Sequence, residues 1–429
     1  MRSTPVYVVD GARSPFLRAR NAPGPFSAAD LATQVGRGLL LRQPFAPSAV
    51  NEVILGCAAP APNESNIARV VALRLGCGHS VPAWTVMRNC ASGMQALDSA
   101  VMSIRSGRSQ LVLAGGVDAL SRAPVLFQPA TVAWLAELAA GRSLARKFRT
   151  ALKFRPRLLK PVIGLLQGLT DPVVNLSMGQ TAENLAQQFG ITRQAMDGYA
   201  LRSHQRAVAA DFSGPPPEIL PLVDDTGRQY THDDGIRSDT SMERLARLKA
   251  VFDPPFGQIT AGNSSQVSDG AALLLLASPQ AIKQHGLDPL AEIVDTQWSG
   301  LDPAVMGLGP VYASTQLLAR HNLSLDAPDL WELNEAFAAQ VLACLAAWGD
   351  ETWCLEHLGV VPDGTVAQDA LNVDGGAIAL GHPVGATGAR LMLHLVHALR
   401  AQGKTLGVAT LCIGGGQGGA MLVRLPEAL

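Results

Sequence analysis

Short solid runs of hydrophobic residues alternate with amphipathic stretches along most of the chain. "VYVVDGARSPF" (6–16) opens as an apolar strand and breaks at a turn. Residues 27–40 follow with helical spacing, opened by Ser27 and with an acid at Asp30, a pattern that caps a helix start. "NEVILGCAAP" (51–60) reads as a strand ending in small residues, and "VPAWTVMRNC" (81–90) as a strand running into a cysteine. "ASGMQALDSAVMSIRSG" (91–107) has helical spacing and a glycine stop, and "SQLVLAGGVDALS" (109–121) is a buried strand ending near a glycine pair. Strands apolar on both faces, alternating with helices, predict a sheet covered on both sides.

The C-terminal part repeats the plan. "LAEIVDTQWSG" (290–300) is a strand, "DAPDLWELNEAFAAQ" (326–340) a strand leading into a helix, and "GHPVGATGARLMLHLVHALRAQG" (381–403) a turn and a helix. "TLGVATLCIGGGQGGAMLVRL" (405–425) is a pair of strands meeting at glycines, so one unit is used twice. Residues 122–260 break the rhythm and read as an excursion that leaves the core and returns. Between Leu138 and Thr170 there is no Asp or Glu, but there are Arg142, Arg146, Lys147, Arg149, Lys153, Arg155, Arg157 and Lys160. Leu144, Phe148, Leu152, Phe154, Leu158 and Leu159 are interleaved. Two readings stay open: a solvated basic helix, or a basic amphipathic segment that meets lipid headgroups or an acidic partner.

Composition narrows the classes. Of 429 residues, 48% are hydrophobic and 16% charged, which supplies a large core. A net charge of −1 argues against a nucleic-acid binder. Six cysteines without a CxxC pair form neither a disulfide framework nor a zinc site, so no metal is expected and the thiols imply a reducing compartment. There is no signal-peptide pattern, and apolar runs such as "AALLLLAS" (271–278) fall far short of the roughly 20 residues that span a bilayer. A soluble, cytoplasmic protein is expected.

Four positions invite chemistry. Cys90 in "RNCASGMQAL" stands where a strand meets a helix, and a helix N-terminus favours the thiolate. The small Ala91, Ser92 and Gly93 leave room for a substrate; the alternative is a buried structural cysteine. His382, between Gly381 and Pro383 on a rigid turn, is placed to be a base, unless backbone groups satisfy it. Asn334 and Glu335 open a helix, where both types also serve as caps. In "TLCIGGGQGGAML" the glycines do not fit a phosphate loop: they run into a strand, not a helix, and no Lys-Ser/Thr follows. A tight strand-to-strand crossing fits better, with amides near Cys412 free to face a ligand.

Taken together and in order, "NCASGMQAL", "MGQTAENLA" (178–186), "TAGNSSQVSDGAA" (260–272), "NEAFAAQ" (334–340), "GGAIALGHPVGATG" (375–388) and "CIGGGQGGA" (412–420) resemble the thiolase family of acyl-CoA acetyltransferases. The resemblance implies an α/β chain with a duplicated five-layer α-β-α-β-α fold. Residues 1–275 would be the N-terminal half, with a loop domain inserted at about 122–260, and residues 276–429 the C-terminal half. It implies that Cys90 carries the acyl group, that His382 takes its proton, and that Cys412 moves the α-proton of the acetyl group. Asn334, through a water, and His382 would form one oxyanion hole, and the amides of Cys90 and Gly414 the other. Ser265, with Ser264 and Arg237, would contact coenzyme A, and Met178 would lie over the acyl pocket. Ser177 replaces a histidine that many short-chain members carry. The segment before it resembles the extended loop of thiolase subunits in β-oxidation complexes. That implies a hydratase–dehydrogenase subunit as partner, or peripheral membrane contact through residues 142–160.

The implied reaction is reversible cleavage of 3-ketoacyl-CoA by CoA, with acyl-CoA and CoA as substrates, no permanently bound cofactor, and a homodimer or homotetramer. Alternatives are an acetoacetyl-CoA-forming thiolase, a ketoacyl synthase relative, and a non-catalytic acyl-CoA or lipid-binding relative. Cys412 argues against the synthase, and the presence of all four residues against the non-catalytic chain.

Overall fold

The computed structural model describes residues 4–20, 22–212 and 218–426. Nine strands carry the framework: β1 (Tyr7–Arg13), β2 (Glu52–Gly56), β3 (Ala83–Val86), β4 (Leu111–Ala119), β5 (Ser268–Ala277), β6 (Ala291–Gly300), β7 (Leu330–Leu333), β8 (Leu406–Ile413) and β9 (Gln417–Arg424). The helices used below are α1 (Ala28–Leu41), α2 (Ile67–Arg74), α3 (Ser92–Arg105), α4 (Pro129–Ala139), α5 (Leu144–Ala151), α6 (Met178–Gln188), α7 (Arg193–Phe212), α8 (Gly309–Arg320), α9 (Ala338–Trp348) and α10 (Val384–Ala401). The capping box expected at Ser27 is made, with Ser27 and Asp30 bonding each other's backbone amides. Gly107, just past α3, takes φ +73°, a left-handed stop.

The duplication is visible in strand order. In the first half it runs β3-β2-β4-β5-β1, and in the second β7-β8-β9-β6. A single parallel bridge from Trp331 to Leu371 stands where β3 stands in the first half. In both halves the leading pairs (β3–β2 and β2–β4 in the first, β7–β8 in the second) are parallel and the remainder antiparallel. The half-sheets meet edge to edge where Tyr7 and Val8 pair with Glu292 and Ala291.

Strand geometry explains the layers, because successive side chains leave a strand on opposite faces. In β5, Leu273 and Leu275 join α1 and α2 on the outside, while Leu274 and Leu276 face inward. The inward side chains meet Met94 and Leu97 of α3 and Leu391 and Leu393 of α10, and the same two helices meet Ala409, Leu411 and Met421 of the other half-sheet. Val408 and Leu422 leave that sheet on its far side, toward Val311 of α8 and Val341 of α9. The result is α-β-α-β-α, with α3 and α10 as the shared middle layer.

The 122–260 excursion is only partly outside. α4, α5 and a hairpin of Val125–Phe127 with Pro161–Ile163 lie on the surface. α6 and α7 return, and Leu185, Met196 and Tyr199 pack into the outer layer of the second half. Among the described residues, no helix is long and apolar enough to cross a membrane.

α3 and α10 cross with their backbones in contact. A Cβ on Gly116 of β4 would lie 1.9 Å from the Gly385 carbonyl oxygen, and one on Gly93 2.7 Å from the same atom. A Cβ on Gly388 would lie 2.6 Å from the Met94 nitrogen. Gly116→Ala is therefore expected to cost about 2 kcal/mol or more in urea unfolding, as forced overpacking does. Gly198→Ala, in a helix with nothing near its new methyl, is expected to be neutral or stabilising by up to about 1 kcal/mol. Equal stability of Gly116→Ala and the parent would contradict the contact.

Candidate active site

Between β3 and α3 the chain makes a tight elbow. Asn89 takes φ +44°, a left-handed conformation that asparagine tolerates. The Ala91 amide donates to Arg88 O (3.0 Å) and the Ser92 amide to Asn89 O (3.0 Å). The Ser92 hydroxyl accepts from the Arg88 amide (2.9 Å) and donates to Asn89 O (2.7 Å). Cys90 is thereby held at the start of α3, whose cap residue Ala91 spends no side chain on the free amides. Asn89 Nδ2 donates to Gly414 O at 2.8 Å, which ties the elbow to the β8–β9 turn. That turn needs its glycines: Gly415 and Gly416 take φ +92° and +75°, and a Cβ on Gly416 would lie 2.2 Å from Leu301 O.

Burial pushes the Cys90 thiol above its ordinary range, and the nearby Asp118 charge adds to the rise; the amides of Gly414 and of Cys90 itself pull the other way. The expectation of a ready thiolate is corrected here: partial burial, with the Asp118 charge nearby, outweighs the helix start, so Cys90 rests as a thiol and needs a base.

His382 can be that base. Gly381, at φ +108°, turns the chain, and the His382 amide donates to Gln266 O (2.9 Å). His382 Nδ1 lies 2.6 Å from Thr387 Oγ1, and that hydroxyl gives its own hydrogen to Pro383 O (2.9 Å). The hydroxyl oxygen must then accept Nδ1–H, which leaves the lone pair on Nε2. Nε2 is buried without a partner. Burial first, then the Arg390 charge, lower the imidazole pKa to about 4, so it is neutral near pH 7.

Two further residues brace this region. Asp118, at the end of β4, accepts from the amides of Gly385 (2.5 Å), Ala58 (3.2 Å) and Ala59 (2.9 Å) and from the Cys57 thiol (3.2 Å). The only sign of it in the sequence is one acid in the otherwise apolar run "LAGGVDAL". Glu335 accepts from the Tyr199 (3.0 Å) and Ser203 (2.6 Å) hydroxyls, Asn372 Nδ2 (3.0 Å) and the Ile378 amide (3.2 Å). α9 starts at Ala338 with no side-chain cap, so neither Asn334 nor Glu335 caps it.

Asn334 is fully buried, and neither side-chain amide atom has a partner. Its backbone nitrogen bonds Thr410 O (2.9 Å), two residues before Cys412 on β8. Cys412 is fully buried too; burial pushes its thiol well up, and the neighbouring Cys90 and Cys344 charges add to this.

A cavity of about 560 Å³ opens at the elbow, lined by Cys90, Asn89, Gly414 and Met178 among others. A Cβ on Gly414 would lie 3.2 Å from Met178 Sδ, so the turn and α6 nearly touch. Ser177 caps α6 in a box with Gln180, which occupies its hydroxyl. Ser264, Ser265 and Arg237 lie outside this lining. The Ser264 hydroxyl donates to Thr260 O (2.7 Å), the Ser265 amide to Ala336 O (2.9 Å), and Arg237 is exposed, its pKa lowered by partial burial and by Arg18. A masked thiol, a neutral imidazole, a second thiol and spare amide donors suit acyl transfer through a thioester.

Comparison with known proteins agrees. The family model "Thiolase, N-terminal domain" matches residues 6–280, and "Thiolase, C-terminal domain" matches residues 287–425. The chain is 41% identical to a beta-ketoadipyl-CoA thiolase of Pseudomonas aeruginosa, covering 98% of this chain and 99% of the relative. It is 40% identical to the 3-oxoadipyl-CoA/3-oxo-5,6-dehydrosuberyl-CoA thiolase of Escherichia coli K12, covering 97% and 98%. Human mitochondrial 3-ketoacyl-CoA thiolase superposes with a TM-score of 0.85 at 36% identity, over 99% of each chain.

Thr387 holds the tautomer of His382. Thr387→Val is expected to lower acyl-transfer kcat/KM by roughly 10- to 100-fold, while Thr387→Ser stays within about threefold. In the parent the acid limb due to His382 should lie near pH 4, since the base is lost only on protonation. Parent-like kcat/KM in Thr387→Val would remove this role.

Proposed function

The chain belongs to the thiolase family, and on that premise we propose that it cleaves a 3-ketoacyl-CoA with CoA, reversibly, through an acyl group on Cys90. Members are acyltransferases that work on acyl-CoA and CoA. His382 Nε2 takes the Cys90 proton as the sulfur attacks the 3-keto carbon, and the amides of Cys90 and Gly414 receive the developing oxyanion. The carbon–carbon bond then breaks, and its electron pair becomes the enolate of acetyl-CoA. That oxygen is met by His382 and by Asn334 through a water, and the Cys412 thiol protonates the carbon. CoA next gives its thiol proton to Cys412 and takes the acyl group, and Cys90 recovers its proton from His382.

The observation that supports this reading most is the seat of Cys90, which shares a cavity wall with Gly414 and Met178 while Asn89 beside it bonds Gly414 O in the turn after Cys412. Cleavage is the downhill direction, which favours it over acetoacetyl-CoA synthesis. Relatives named for β-ketoadipyl-CoA raise a dicarboxylic acyl group as the competing substrate. Cys90→Ala is expected to abolish turnover. Cys412→Ala should still acylate Cys90 but lose α-proton exchange on acetyl-CoA. Exchange at the parent rate in Cys412→Ala would overturn the proton role.

We also propose that residues 142–160, which include α5, bind anionic lipid. Leu144 (87% exposed) and Phe148 (65%) stand beside Arg146, Lys147 and Arg149. Each base near an anionic surface contributes about 1 kcal/mol, screened by salt. Sedimentation with phosphatidylserine vesicles is expected at low salt, weakening as salt rises and absent with neutral vesicles. Failure to bind, together with a co-purifying hydratase–dehydrogenase subunit, would favour a protein partner instead.

A further inference from the structure

The acyl cavity has a definite chemical character. Beyond Cys90 it is walled by Leu120, Leu126, Leu165, Leu169, Val173 and Met178. Among the described residues that line it, none is Lys, Arg or His. Its one charged residue is an acid, Asp171, whose Oδ1 accepts from the amides of Val173 (2.8 Å) and Val174 (3.1 Å). Arg122, next to the lining residue Ala123, is exposed and is not part of the lining.

A terminal carboxylate close beyond the keto carbon, as in a 3-oxoadipyl group, would enter this cavity without a cation to meet it and with an acid nearby. Burying an unpaired charge is far costlier than burying a methyl group. The cavity also has no closed end. Leu126 both lines it and is 50% exposed, on the hairpin where it pairs with Val162.

We propose that the acyl group taken by this chain is an uncharged, linear one of medium or greater length, whose tail fills the cavity and leaves over the Leu126 hairpin. This rests on the acyl-transfer reading, and it separates the chain from the substrate for which its β-ketoadipyl-CoA relatives are named. The walls of the cavity, from residues 120–126 and 164–173, set the preference.

Two measurements test it together. In thiolysis assays with the full chain, kcat/KM for 3-oxooctanoyl-CoA should exceed that for 3-oxoadipyl-CoA by at least about 100-fold, and should not fall on lengthening to 3-oxododecanoyl-CoA. By calorimetry, the Cys90→Ala variant should bind octanoyl-CoA at least about tenfold more tightly than adipyl-CoA. Equal or better use of 3-oxoadipyl-CoA, or equal binding of the two saturated esters, overturns the proposal. Preferential binding of octanoyl-CoA with no turnover of any ester would uphold it while sinking the reaction assigned above.

Discussion

The site exists because two helix backbones touch. α3 and α10 fill the single layer shared by both half-sheets, and glycines at 93, 116, 385 and 388 let them approach without side chains between. Cys90 lies just before the first helix and His382 just before the second, so the crossing carries thiol and imidazole to one end of the layer. Asp118 locks the arrangement by accepting the Gly385 amide from α10 and the Ala58 and Ala59 amides from the loop after β2. The second half-sheet adds Cys412 at the end of β8, and Asn89 bonds the turn that follows it. Four chain segments distant in sequence thus converge through close backbone approach and through two short side chains, Asn89 and Asp118, bonded to backbone groups.

The same burial sets the resting charge state. A dry interior penalises every ion, so both thiols rise and the imidazole falls. In the proposed reaction no group of the constellation starts out charged, so reactivity would come from proton transfer as the substrate reacts. This arrangement leaves Asn334 and His382 Nε2 unpaired in the interior, at about 1–3 kcal/mol each when nothing fills the site. In the proposed reaction Asn334 Nδ2 is a donor held ready for a developing oxyanion, and His382 Nε2 becomes one once it has taken the Cys90 proton.

Much of this was legible in the sequence, for identifiable reasons. Short solid apolar runs and helical stretches mark the strands and α1, α3 and α10, and the repeat of that order marks the duplication. Cys90, His382, Asn334 and Cys412 stand out because reactive types sit among glycines and small residues. What stayed hidden depends on tertiary contacts. The thiolate expectation for Cys90 counted the helix start but could not weigh burial. α6 and α7 looked like part of a polar excursion because Tyr199 and Ser203 use their hydroxyls inside, on Glu335. Thr387 reads as an ordinary helix residue until its hydroxyl is seen between Pro383 O and the imidazole.

The most direct test is to trap the covalent intermediate. The parent protein would be mixed with acetyl-CoA, quenched in acid, cleaved with trypsin and sequenced by mass spectrometry. Acetyl should be found on Cys90, in the peptide running from Asn89 to Arg105, and not on Cys412. Acetyl on Cys412, or a stoichiometric label on neither cysteine, would contradict the division of labour between the two sulfurs.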